Sequence, residues 1–183
     1  ERARELLRDA LADPLSRSWA PHIALVTAES TGDHELLAEA YGALAEATEG
    51  AERARYLREA GRAHAKQGDW DSAERSLRRA LHDTPDDAGV LGLLEGVLRE
   101  GGHPEAVVSL AKSRAEGAST NGLGEHSLLL AGATAERAGD RDAARSAYEE
   151  ALRQSDGAPS GALALADLAR RMGDGRLRRQ AYE

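Results

Sequence analysis

Arg55, Arg58, Arg62 and Lys66 recur at steps of three and four residues. At about 100° per residue on a helix they fall within about 80° of one another, a strip of cations able to receive carboxylates. Guanidinium groups bind carboxylates as planar forks and ammonium groups as point charges, so the chemistry of such a strip is recognition of an acidic surface. Glu59 lies in the same arc. The competing expectation is intrahelical pairing of Arg55 and Arg62 with Glu59, contributing only about 0.3–0.5 kcal/mol per pair.

Other constellations that carry chemistry are incomplete. His34-Glu35 lacks a second histidine at metalloprotease spacing, no glycine-rich loop ends in Lys-Ser or Lys-Thr, and Gly122-Leu-Gly124 is too short for a dinucleotide fingerprint. The histidines at 22, 34, 64, 82, 103 and 126 are scattered. His64 shares a helical stripe with Leu57, Ala60 and Gly61, where core packing explains it better than a ligand or proton-transfer role. Carboxylates are plentiful but lie on polar faces, where a solvated surface is the simpler account. Without cysteine, disulfides and thiolate zinc sites are excluded. The expectation is a chain that is no enzyme, with no cofactor and no metal.

The elements that hold the strip are helices ended by glycines. Gly32-Asp33, Gly68-Asp69, Gly101-Gly102, Gly139-Asp140 and Gly173-Asp174 follow one another at steps of 36, 33, 38 and 34 residues. A unit of about 34 residues is thus restated. Glycine ends one helix in the left-handed conformation, and the carboxylate after it accepts from the free N–H groups opening the next. At the third junction Pro104 suits a first helical turn, whose N–H groups have no partner anyway. Apolar residues recur at helical steps almost throughout, predicting helices over 1–13, 19–30, 33–48, 51–67, 70–83, 87–100, 103–116, 124–138, 141–154, 158–172 and 174–183. The small polar residues from Glu116 to Gly124 predict the one long, flexible linker. Tyr41, Tyr148 and Tyr182 fall at equivalent places and are expected in the core, while Trp19 and Trp70 are expected to cover apolar surface between units.

Composition agrees with a chain whose burial is spread along its length. Of 183 residues 41% are hydrophobic, largely Ala and Leu, and Phe is absent, so helices must approach closely. A net charge of −8 argues against nucleic acid or an anionic membrane as partner. No apolar run approaches the roughly 20 residues of a membrane span, so no membrane insertion is expected. The sequence opens at Glu1 inside an amphipathic helix with no capping residue ahead of it, and only Lys66 and Lys112 are lysines among 24 basic residues. These features are expected of an excerpt of a longer bacterial protein, cytoplasmic unless a periplasmic or secretory signal precedes it.

The stretch from Leu57 to Pro85 resembles a tetratricopeptide (TPR) repeat. Gly61 falls on the family's small residue of the first helix, Gly68 on its turn glycine, Ala73 and Ala80 on the small residues of its second helix, Leu77 on the bulky one between them, and Pro85 on its closing proline. Gly132, Gly139, Ala144, Tyr148 and Ala151 repeat the pattern, as do Leu94, Gly101, Ala106 and Leu110 with Ser113 replacing an alanine. The first unit keeps Gly32 and Tyr41 but puts Leu25, Leu37 and Leu44 at small positions, and the last has Arg178 at one. The resemblance divides the chain into a half-repeat over 1–17, repeats over 18–52, 53–86, 87–122 and 123–157, and a partial repeat over 158–183. It implies an all-α, right-handed superhelical solenoid of antiparallel hairpins in which Gly61 faces Ala73 and Gly132 faces Ala144.

What the resemblance implies about function is a non-catalytic scaffold. First helices of TPR hairpins line a concave groove that binds other polypeptides, which places Arg55, Arg58, Arg62 and Lys66 there, then Leu91, Glu95 and Arg99, then His126, Leu129, Ala133 and Arg137, then Leu163, Asp167 and Arg170. Leucine at equivalent places gives an apolar track beside the cations, suited to an acidic amphipathic segment. No asparagine occupies the positions with which TPR co-chaperones clamp a terminal carboxylate. The alternatives are an architectural spacer that self-associates through its end repeats, and a regulatory module of a larger enzyme.

Overall fold

The computed structural model describes residues 2–117, 123–154 and 159–182. They form α1 (Arg2–Ala12), α2 (Ala20–Thr31), α3 (His34–Glu46), α4 (Gly50–Lys66), α5 (Trp70–Asp83), α6 (Ala88–Glu100), α7 (Pro104–Gly117), α8 (Leu123–Arg137), α9 (Arg141–Gln154), α10 (Ser160–Met172) and α11 (Gly175–Gln180). No strand occurs among the described residues. A single 3-10 turn at Pro14–Ser16, capped by Asp13, joins α1 to α2 and has no counterpart in the expected helices. Residues 118–122, the heart of the expected linker, lie outside the described residues.

The turns follow the expected chemistry. Gly68 has φ +75, and the Asp69 carboxylate accepts from the Ser72 N–H at 3.1 Å. Asp33, Asp140 and Asp174 accept in the same way from Leu36, Ala143 and Leu177. At the third junction the left-handed residue is Gly102, while Gly101 stays right-handed. Asp87 caps α6, a cap that the Gly-Asp pattern does not reveal because no glycine precedes it. The last helix stops at Gln180, short of the expected 183.

The chain divides into two compact units, Glu1–Gly101 and Gly102–Glu183. In the first, each helix from α2 to α6 packs on the next, and α1 lies against α2 and α3. Ala24, Ala28, Leu36 and Ala40 form a cluster onto which Leu7, Leu11, Leu25 and Leu37 pack. Further along, Leu57, Leu77, Val90 and Leu94 are buried. In the second, α7 to α11 pack consecutively, with Val107, Leu128, Tyr148, Leu165 and Leu177 buried. Short turns between these helices make them antiparallel neighbours.

Close approach uses the expected small residues. A Cβ on Gly61 would lie 2.8 Å from Leu77 Cγ and 3.3 Å from the Ala73 carbonyl oxygen, so Gly61 faces the Leu77 side chain first and the Ala73 backbone as expected. The atoms nearest a Cβ on Gly132 belong to the Tyr148 ring. In both hairpins the bulky residue of the second helix fills the notch that glycine leaves, and the alanines around it let the backbones close in. Gly161, which no pattern marks, sets α10 on the α9 backbone at Leu152, where a Cβ would be 2.7 Å from the amide nitrogen.

Polar ties between helices also keep one period. Arg8 reaches Glu39 across 31 residues, Gln67 the His34 carbonyl across 33, Arg79 Glu46 across 33, Lys112 Ser146 across 34 and Arg171 Glu136 across 35. Arg4 joins this set through Asp33 at 3.0 Å, so α1, which buries no residue of its own, is strapped to the start of α3 by charge.

Candidate functional site

α4 buries Ala54, Leu57, Ala60, Gly61 and Ala63 and turns Arg55, Arg62 and Lys66 outward, with Arg58 half-buried. Glu59 pairs with Arg58 at 3.2 Å and with Arg62 at 3.0 Å. Arg55 is not its partner, contrary to the expected pairing: the Arg55 guanidinium carbon lies 5.3 Å from the Tyr56 ring centroid, and Tyr56 stacks on Tyr41 at 6.4 Å. Cation–π contact with the neighbouring Tyr56 ring holds Arg55 instead. Arg58 also approaches Asp87, the cap of α6, at 4.0 Å. Lys66 has no acidic partner among the described residues.

Tyr41 is half-buried at the level of these cations. Burial raises its phenol above the ordinary value, Glu29 of α2 and Glu59 add to the rise, and Arg55 and Arg62 oppose it. The exposed face of α2 carries Trp19, Ile23 and Val26 at helical spacing, each about half exposed or more. Those apolar residues escaped the sequence reading, which assigned the corresponding face only from α4 onward; their four- and three-residue steps were the available signal. Trp19 is 49% exposed.

On α6, Leu91 and Glu95 are half-buried and Arg99 lies 3.6 Å from Glu100. The neighbouring face of α6, Gly92, Leu93, Gly96 and Val97, lines a cavity of about 320 Å³ that α4 and α5 complete with Arg62, Lys66, Trp70 and Leu77. The cavity is also unforeseen by the sequence reading, although glycines at 92 and 96, one helical turn apart, foreshadow it.

The second unit holds the remaining expected residues. His126 is exposed, Leu129 and Ala133 are half-buried, and exposed Arg137 donates to the Ala133 carbonyl at 3.4 Å. Leu163 is 56% exposed. Asp167 accepts from Arg170 at 2.6 Å and pairs with Arg171 at 2.8 Å, and the Arg170 hydrogen bond holds its carboxyl below the ordinary value. Arg171 continues to Glu136, which accepts from the Tyr148 hydroxyl at 3.2 Å. Burial, and then Glu136, push the Tyr148 phenol well above its ordinary range. Asp167 is therefore part of a chain of polar contacts linking α8, α9 and α10.

Tyr148 is buried as expected, whereas Tyr182 is 65% exposed: α11 ends before it, so no helix carries it inward. His64 is half-buried and not fully in the core. Its Nδ1 lies 3.5 Å from an Asp69 carboxylate oxygen, and burial lowers its pKa. Among the described residues no three His, Cys, Asp or Glu side chains are grouped to hold a metal, and no helix is long and apolar enough to cross a membrane.

No family model and no curated protein matches this chain. Solved structures do. A point-mutant form of MamA is 19% identical over 91% of this chain and 88% of its own, with a TM-score of 0.52. MamA AMB-1 is 19% identical over 93% and 90% respectively, with a TM-score of 0.49. BtubC from P. vanneervenii is 15% identical over 98% and 84%, with a TM-score of 0.43. The first of these likenesses shows the fold, a TPR-like helical repeat.

Proposed function

We propose that this chain is a non-catalytic interaction module that docks a partner polypeptide on the outward faces of its first helices. The observation that carries the reading is that the first unit holds both an exposed apolar stripe, Trp19, Ile23 and Val26, and the outward cations of α4. An amphipathic acidic segment answers both: its apolar face covers the stripe while its carboxylates meet Arg55, Arg62 and Lys66. Arg62 is held by Glu59 only at an exposed site, where the pair is worth about 0–1 kcal/mol and yields to a competing carboxylate. Leu163 and the cations Arg137 and Arg170 offer the second unit a face of similar chemistry.

The test is charge reversal at Arg62 and Lys66, since Arg58 is engaged with the α6 cap and its reversal would disturb folding. Full-length protein carrying both changes to Glu should keep its circular dichroism and lose a partner that the unaltered protein retains in a pull-down. Unchanged capture refutes the reading. A self-associating spacer is the second reading, favoured by Leu6 of α1 and Leu15 of the turn that follows it, which are 61% and 89% exposed. In that case the charge reversal is neutral and Leu6→Ser with Leu15→Ser abolishes self-association in sedimentation.

A further inference from the structure

The cavity between α4, α5 and α6 has the volume, about 320 Å³, of the smallest ligand pockets, which run from roughly 300 to 1,000 Å³. Leu77 and Val97 are buried at its base, and Trp70 and Leu93 are half-buried beside it. Gly92 and Gly96 of α6 line the space, and an added Cβ at either would meet nothing within 4 Å. Glycine in a helix interior costs about 1 kcal/mol relative to alanine, so two of them one turn apart keep a notch open at the expense of the helix. The mouth is charged. Arg62 is tied to Glu59, Glu100 lies beside Arg99, and Lys66 stands without an acidic partner among the described residues.

We propose that this cavity receives one bulky apolar side chain of an acidic partner polypeptide, with Lys66 taking the carboxylate of a residue adjacent to that anchor. The inference rests on the docking reading and adds the place where its affinity is concentrated. A large apolar side chain buried in a preformed notch removes more surface from water than any contact on the open strip, and interfaces gather their energy at such anchors. Lys66, which has no acidic partner among the described residues, favours negative charge beside the anchor, and a carboxylate there sits at the edge of an apolar, weakly screening wall.

Random peptides displayed on phage, selected on the immobilised protein and resynthesised with a fluorescent label, test the assignment. Selected peptides should share a bulky apolar residue flanked by Asp or Glu. Gly96→Leu fills the notch and favours the helix, so the variant should fold while binding these peptides at least about tenfold more weakly. Replacing the apolar residue of the peptide by Ala should weaken binding by a similar factor and leave no further loss on Gly96→Leu. Should binding fall with Arg62→Glu and Lys66→Glu but not with Gly96→Leu, the anchor site is refuted and the docking surface stands. Peptides indifferent to all three changes, or no selected peptides, refute both. A dimer in sedimentation that Gly96→Leu dissociates makes the occupant a second copy and overturns the proposal.

Discussion

Gly132→Ala adds a single methyl group where α8 meets the Tyr148 ring of α9. Its Cβ would lie 2.6 Å from Tyr148 Cδ1 and 2.8 Å from Cζ, with Cε1 nearer still, so the ring must move by about 1 Å to restore contact distance. The ring is poorly free to move, being 4% exposed and holding Glu136 through its hydroxyl at 3.2 Å, with Arg171 behind that carboxylate at 2.8 Å. Overpacking of this kind costs about 1–3 kcal/mol, against which alanine returns about 1 kcal/mol of helix propensity. The net is a loss of up to about 2 kcal/mol, or a fall of up to about 8 °C in Tm at 2–4 °C per kcal/mol. Gly42→Ala, in the middle of α3, meets nothing within 4 Å and isolates the propensity effect, so it should raise stability by up to about 1 kcal/mol. Urea and thermal unfolding followed by circular dichroism measure both. Tyr148→Leu removes the clash, and the Gly132→Ala/Tyr148→Leu pair should lose less than the two single losses added. If Gly132→Ala stabilises as Gly42→Ala does, or if the pair is additive, glycine is not there to admit the ring.

Ala73→Leu, at a position of zero exposure beside Gly61, should cost about 1–3 kcal/mol; an unchanged Tm would refute the close packing of α4 on α5. Gly68→Ala should cost about 1–2 kcal/mol although nothing crowds the site, since φ +75 alone penalises a Cβ; a stabilised variant would refute the left-handed turn. Burial holds the His64 imidazole below its ordinary value of about 6.5, so the unfolded chain takes up the proton first, and Asp69, Glu39 and Arg75 are the charges that face it. Stability should therefore be full above that value and decline as pH falls from about 7 toward the folded-state pKa, with His64→Gln flattening the decline in urea midpoints.

Junctions were readable because they depend on local chemistry. A glycine in the left-handed region and a carboxylate on the next N–H groups are set by two adjacent residues, and Gly68-Asp69 or Gly173-Asp174 says so directly. Which residue faces Gly61 or Gly132 depends on helix rotation and rise, and spacing alone does not separate Ala73 from Leu77 one turn later. Pairing on the surface was less legible still. Arg55 and Arg58 are both within helical reach of Glu59, yet Arg58 pairs with it while Arg55 lies over the Tyr56 ring. The cavity depended on an absence of side chains at Gly92 and Gly96, to which a search for apolar periodicity is blind.

Polar ties that reach about one period have a consequence for how such a chain grows. A duplicated segment of that length inherits a donor from one copy and an acceptor from the next, so new copies meet already matched seams without further substitution. Arg79 with Glu46 and Arg171 with Glu136 are seams of this kind, so the array can lengthen by whole periods and keep them matched.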